Sequence, residues 1–137
     1  MRNTQGFTLV ELMITVVLAG VILAIAVPAM SDLVRSNRST AQANEVVAAF
    51  QYARSEAIKE GQAVTVCRSS DQANCTGGNG GGNWDAGWMI FIDPAGNGSF
   101  EAADDTRLRV HQGLDGSTLN ATTGGNSITY LASGRVD

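Results

Sequence analysis

The chain starts with six mostly polar residues, Met-Arg-Asn-Thr-Gln-Gly, and then runs almost wholly apolar from Phe7 to Met30. Inside that run Glu11 is the single ionisable residue, and Thr8 and Thr15 carry the only hydroxyls. About 20 apolar residues suffice to cross a bilayer as a helix, so 7–30 is predicted to be a transmembrane helix. Pro28 removes a backbone donor and crowds the preceding turn, which predicts a break or kink there. Helical spacing then resumes. Ala43, Val46, Val47, Phe50, Ala53, Ala57 and Ile58 recur at steps of three and four, with Arg54, Glu56, Lys59 and Glu60 on the other faces. Gly61 is a natural stop. Residues 31–61 therefore read as an amphipathic continuation of the helix, and its stripe has to pack on the residues beyond it.

From Gln62 onward the period changes to two. Gln62–Arg68 alternates, with Val64, Val66 and Arg68 on one side and Ala63, Thr65 and Cys67 on the other. Trp88–Ile92 is a continuous apolar run, as expected of a central strand, and Arg107–His111 and Ser127–Ala132 are further strand candidates. Between them lie Gly- and Asn-rich stretches, Thr76–Asn83 and Pro94–Ser99, which are turn chemistry. No internal repeat is present. The expected fold is α+β: a long N-terminal helix packed on a small antiparallel β-sheet head spanning 62–137.

Composition narrows the function. A chain of 137 residues has room for one modest core. Its net charge of -4 argues against nucleic acid as a default partner. Two cysteines and one histidine cannot build a Cys-rich zinc site. In a membrane-tethered chain, Cys67 and Cys75 read as one disulfide on an oxidising face; their spacing is too wide for a redox CxxC pair. Asp93, Asn97, Gly98 and Asp104 echo a calcium loop, but Ala95 stands at a ligand position, so a turn is the better reading. Glu101, Asp104 and Asp105 read as a solvated acidic loop. His111 has no nucleophile that sequence can pair with it and reads as a solvent-facing strand residue. Trp84 and Trp88 read as core or rim residues. No catalytic set, metal site or cofactor is expected.

Glu11 is the anomaly. A carboxylate inside an apolar segment costs roughly 2.5–3.5 kcal/mol at the helix centre and less near its end. An ordinary secretory signal, with Ala24-Ile25-Ala26 as the cleavage site, leaves it unexplained. So does a plain membrane anchor. Its own segment offers it no partner.

Gly6-Phe7-Thr8-Leu9-Val10-Glu11-Leu12 resembles the class III signal of type IV pilins and type II secretion pseudopilins. The resemblance implies that a prepilin peptidase removes the leader, residues 1–6, by cutting after Gly6, and that Phe7 becomes the N-methylated new N-terminus. It implies that Glu11 pairs with the N-terminal amine of a neighbouring subunit, so that its counter-charge exists only in an assembly. Gln51-Tyr52-Ala53-Arg54-Ser55-Glu56-Ala57-Ile58, Val64-Thr65-Val66-Cys67 and Gly87-Trp88-Met89-Ile90-Phe91-Ile92-Asp93 are similar to the GspH/FimT branch of those pilin-like proteins.

That branch implies a minor pilin or pseudopilin, a structural subunit of a type II secretion pseudopilus or type IV pilus. Its partners would be other pilins, the peptidase and methylase, and inner-membrane lipid. It would span the bacterial inner membrane once, with the head in the periplasm. Some FimT-like members bind DNA through basic C-terminal residues. The match here is Gly134-Arg135-Val136-Asp137, and with Arg68, Arg107 and Arg109 it is a thin supply of phosphate contacts. The family usually continues with another strand pair, so Asp137 is expected to fall short of the family's usual end.

Overall fold

A computed structural model describes residues 6–76, 83–120 and 125–137. The leader up to Gln5 and the Gly-rich stretch 77–82 lie outside the described residues. The elements are α1 (Leu9–Glu60), β1 (Val64–Arg68), a 3-10 turn (Trp84–Ala86), β2 (Gly87–Ile92), β3 (Thr106–Gln112) and β4 (Ser127–Tyr130).

Thr8 caps α1: its hydroxyl accepts the Glu11 N–H at 3.2 Å, satisfying one orphan amide of the first turn. The helix ends where Gly61 turns left-handed (φ 66) and donates its N–H to Ala57 O, an exit that costs glycine little. Of the break or kink expected at Pro28, the break does not occur: α1 continues through it. One missing amide removes one ladder bond, leaving the Ala24 carbonyl without its usual donor, and the turns on either side hold the rest.

The chain divides into two compact units, one up to Ala41 and one from Gln42 to Asp137. In the first, the apolar span is exposed along its whole length. In the second, residues 42–60 of α1 lie on the sheet. The predicted stripe needs correcting there. The buried line is Ala49, Ala53 and Ala57, with Val46, Phe50 and Tyr52 packed at its margins. Ala43 is exposed, and Val47 and Ile58 are 53% and 55% exposed. Alanines four apart let the helix backbone come close to the sheet, and the larger side chains are left to the flanks.

The sheet order is β3-β2-β1-β4, with every neighbouring pair antiparallel. The helix-facing side presents Val64, Val66, Trp88 and Ile90 to the alanine line, with Trp84 closing one end. The outer side presents Cys67, Met89 and Phe91, covered by Cys75 and Phe100. Both central strands are thus buried on both faces, as the unbroken apolar run of β2 required. Gly87 (φ 118) starts β2 where a Cβ would lie 2.9 Å from the Ser69 carbonyl oxygen, so only glycine fits that approach. A bulge between Ile90 and Phe91 inserts Leu108 into the pairing with β3.

Candidate functional site

Two sites emerge, one at the start of α1 and one on the outer face of the head. At the first, Gly6 is exposed with open space around it, and Phe7 is 76% exposed. Both precede the first helical residue, so the Gly6–Phe7 peptide bond is exposed, non-helical backbone. Glu11 is exposed in the first turn of α1. There the positive end of the helix dipole favours its charge, while among the described residues its carboxylate has neither an ion pair nor a side-chain hydrogen bond.

At the second site, Cys67 and Cys75 are joined by a disulfide, with Cα atoms 5.6 Å apart. Thr76 N–H donates to Arg68 O at 2.7 Å, so the loop is closed at its base twice. Asp71 organises the interior. It accepts the Asn74 side-chain amide at 2.8 Å and the backbone N–H groups of Asn74 and Ala73. The Asn74 side chain, then those two amides, hold its carboxyl well below the usual carboxylate range. Next to it Gln72 sits at φ 60, and its carbonyl accepts from Arg107 at 2.9 Å. The Arg107 guanidinium also lies over Phe100. The loop and Phe100 are therefore clamped together over Met89 and Phe91.

The calcium-loop echo is a turn. Asp93 is fully buried and accepts from the Thr65 hydroxyl (2.9 Å) and from the N–H groups of Gly98 (2.9 Å) and Asn97 (3.3 Å). Thr65 is in turn bonded to Thr129. Among the described residues no group of three His, Cys, Asp or Glu side chains could hold a metal. Glu101 and Asp104 are exposed, as expected of an acidic loop, whereas Asp105 is half-buried and accepts the Glu101 N–H at 2.7 Å.

The expectation for His111 is overturned. Pairing with Trp88 places it on the helix side of the sheet. There it stacks on the Trp88 ring at 4.0 Å and meets Glu45 of α1 at 3.4 Å. Trp84 and Trp88 are core residues, at 5% and 3% exposure. The arginines considered for DNA do not converge. Arg107 clamps the outer loop, Arg109 lies over Tyr52 of α1, Arg68 is half-buried, and Arg135 lines a groove beside β4.

Sequence reasoning missed Asp71, although an aspartate followed by Ala73 and Asn74 inside the cysteine loop is a legible turn signal. It also missed Glu45, for which no local signal exists, since its partner is far along the chain.

The Prokaryotic N-terminal methylation motif matches residues 1–27, and the family profile of Type II transport protein GspH matches residues 42–137. The type IV narrow pilus major component of Thermus thermophilus is 33% identical over 130 residues, covering 93% of this chain and 94% of that protein. A fimbrial protein of Pseudomonas aeruginosa is 39% identical over 64 residues, covering 47% of this chain and 41% of its own length. The type IV major alpha-pilin of Moraxella bovis is 36% identical over 70 residues, covering 51% and 43%. The chain thus spans less than half the length of the Pseudomonas and Moraxella relatives. No solved structure matches it. With the methylation motif over the start of α1 and the GspH profile over the whole head, the chain belongs to the GspH/FimT family of type IV pilin-like structural subunits.

Proposed function

We propose that this chain is a minor pilin or pseudopilin, made as a membrane-anchored precursor and carried from lipid into a filament. The observation that supports this most directly is Glu11: a carboxylate with no partner among the described residues, five positions after an accessible Gly6, on a helix whose apolar surface is exposed. Cleavage behind Gly6 would create an amine at Phe7. In a filament a neighbour's Phe7 amine would lie against Glu11, so the charge would be paired only after assembly. The transmembrane segment 7–30 would hold the precursor in the inner membrane, with the disulfide-bearing head in the periplasm. In this reading the chain does no chemistry of its own and is the substrate of the peptidase and methylase.

Glu11→Ala removes a charge that costs roughly 2.5–3.5 kcal/mol at a membrane helix centre, so membrane retention should be unchanged. Recovery in sheared filaments should fall sharply. Normal incorporation of that variant would overturn the reading. Mass spectrometry of the filament subunit should find a methylated Phe7 at the N-terminus. The GspH profile over the head favours a secretion pseudopilus, and the likeness to the Thermus narrow-pilus component favours a pilus. Deleting the gene separates them, since loss of secreted enzymes points to the first and loss of surface fibres to the second. DNA uptake has less support because Arg107 is held on the outer loop and Arg109 on Tyr52, so the four arginines form no common patch.

A further inference from the structure

Where β3 meets α1, His111 is held on three sides. Its ring lies on the Trp88 ring, with 4.0 Å between centroids and 6° between planes. Its Nδ1 is bonded to the Gln112 carbonyl oxygen, and its Nε2 lies 3.4 Å from the Glu45 carboxylate of α1. A carbonyl oxygen only accepts, so Nδ1 carries a proton and donates. A neutral imidazole has one ring proton. In the neutral ring, Nε2 therefore turns a lone pair towards the carboxylate, acceptor against acceptor. Protonation puts a second N–H there. The cation then donates to Gln112 and to Glu45 at once, and it lies over an indole face, the aromatic surface that best favours a positive charge. All three neighbours thus favour the charged ring.

Glu45 stands near the start of the part of α1 that lies on the sheet, in the compact unit that begins at Gln42. One other polar contact holds that stretch among the described residues: the Gln42 side-chain amide donates to the Asp115 carbonyl oxygen at 3.1 Å. The buried alanine line begins only at Ala49, and Val46 is partly buried. Residues 42–48 therefore depend on the ring far more than the rest of the docked helix does. The other charged groups on the elements packed about His111 are engaged elsewhere. Arg109, on the same face of β3, lies over Tyr52 at 4.4 Å. Asp85 of the 3-10 turn and Asp115 beyond β3 accept from Leu114 and Gln42 through their main-chain carbonyls, and carboxyl groups as a class titrate below the imidazole range. His111 is the chain's one histidine. The pair is open to solvent, with His111 33% and Glu45 50% exposed, so protons reach it freely and the energy at stake is small.

We propose that His111 and Glu45 form an acid-closed latch that sets how much of α1 the head holds. With the imidazole protonated, Glu45 is drawn in and the helix is docked from Gln42. With the imidazole neutral, Glu45 turns to solvent and the docked helix starts nearer Ala49, about 10 Å further along the axis at 1.5 Å per residue. Imidazole is the side chain whose charge changes between about pH 5 and 8, so the latch responds to mild changes in acidity. The alanine line beyond it stays docked throughout.

The test uses the full-length protein in detergent with a nitroxide label on Ala43→Cys, an exposed position. The native cysteines are joined to each other, so the label has one target. Relaxation enhancement of the Leu114 methyl groups should be about twofold stronger at about pH 5.5 than at about pH 8, the size that an exposed charge pair supports. Glu45→Gln should keep the enhancement strong at both pH values, because an amide can donate to the neutral Nε2 as well as accept from the protonated one. A misfolded variant could not show that gain. His111→Phe keeps a ring on Trp88 and removes the titrating group, so it should abolish the difference between the two pH values. Equal enhancement at both pH values in the labelled parent would overturn the proposal. So would a pH dependence that survives His111→Phe, or one that Glu45→Gln leaves unchanged.

Discussion

The two faces of the sheet are covered by different means. On the inner face a regular helix lays Ala49, Ala53 and Ala57 over Val64, Val66, Trp88 and Ile90. On the outer face an irregular loop, tied by Cys67–Cys75 and clamped by Arg107, lies with Phe100 over Met89 and Phe91. Both faces are equally dry at their centres, with Ile90 and Phe91 fully buried. A helix brings its own backbone hydrogen bonds and a ready apolar line. A loop has neither, so it needs a covalent tie and a set of side-chain acceptors to stay in place.

That contrast can be broken from the inner side first. Ala53 is fully buried against the sheet, so Ala53→Glu puts an unpaired charge there and should cost more than about 4 kcal/mol, abolishing the cooperative melt of the head. The same exchange at exposed Ser55 should change stability by less than about 0.5 kcal/mol. Equal melting of both variants in detergent would mean that the helix does not close this face.

The outer side should yield less. Cys75→Ser removes the tie and should lower stability by roughly 2–3 kcal/mol, the chain-entropy value for so short a loop. Chemical denaturation with and without reductant measures it; an unchanged midpoint would assign the covering of Met89 and Phe91 to Phe100 and Arg107.

The smallest effect belongs to Asp71. Because its folded-state pKa lies below its ordinary value, the stabilisation it gives the loop is complete above the ordinary carboxylate range and is lost as pH falls through the depressed folded value. Amide exchange at Ala73 and Asn74 should therefore stay slow on mild acidification and quicken only in strong acid. Asp71→Asn should quicken both amides at neutral pH while leaving the global melt nearly unchanged.

Much of this architecture was legible in the chain. The onset of the apolar run located α1 to within two residues at its start, and helical spacing carried it on to the stop at Gly61. The unbroken apolar run of β2 marked a strand buried on both sides. Cys67 and Cys75 could be paired because no other cysteine competes. The start of the chain was legible for a different reason: Gly6, Phe7 and Glu11 fall in a short local pattern, within the residues that the N-terminal methylation motif matches.

Other features depended on distance in three dimensions. Periodicity proposed Val47 and Ile58 for the buried stripe, but the close approach of helix and sheet admitted only the alanine line. His111 looked like a solvent residue until its register with Trp88 turned it towards Glu45. Local propensity and spacing determined which elements form, since those depend on near neighbours along the chain. Which side chains share a face, a clamp or a groove was decided by register and packing, which no local pattern encodes.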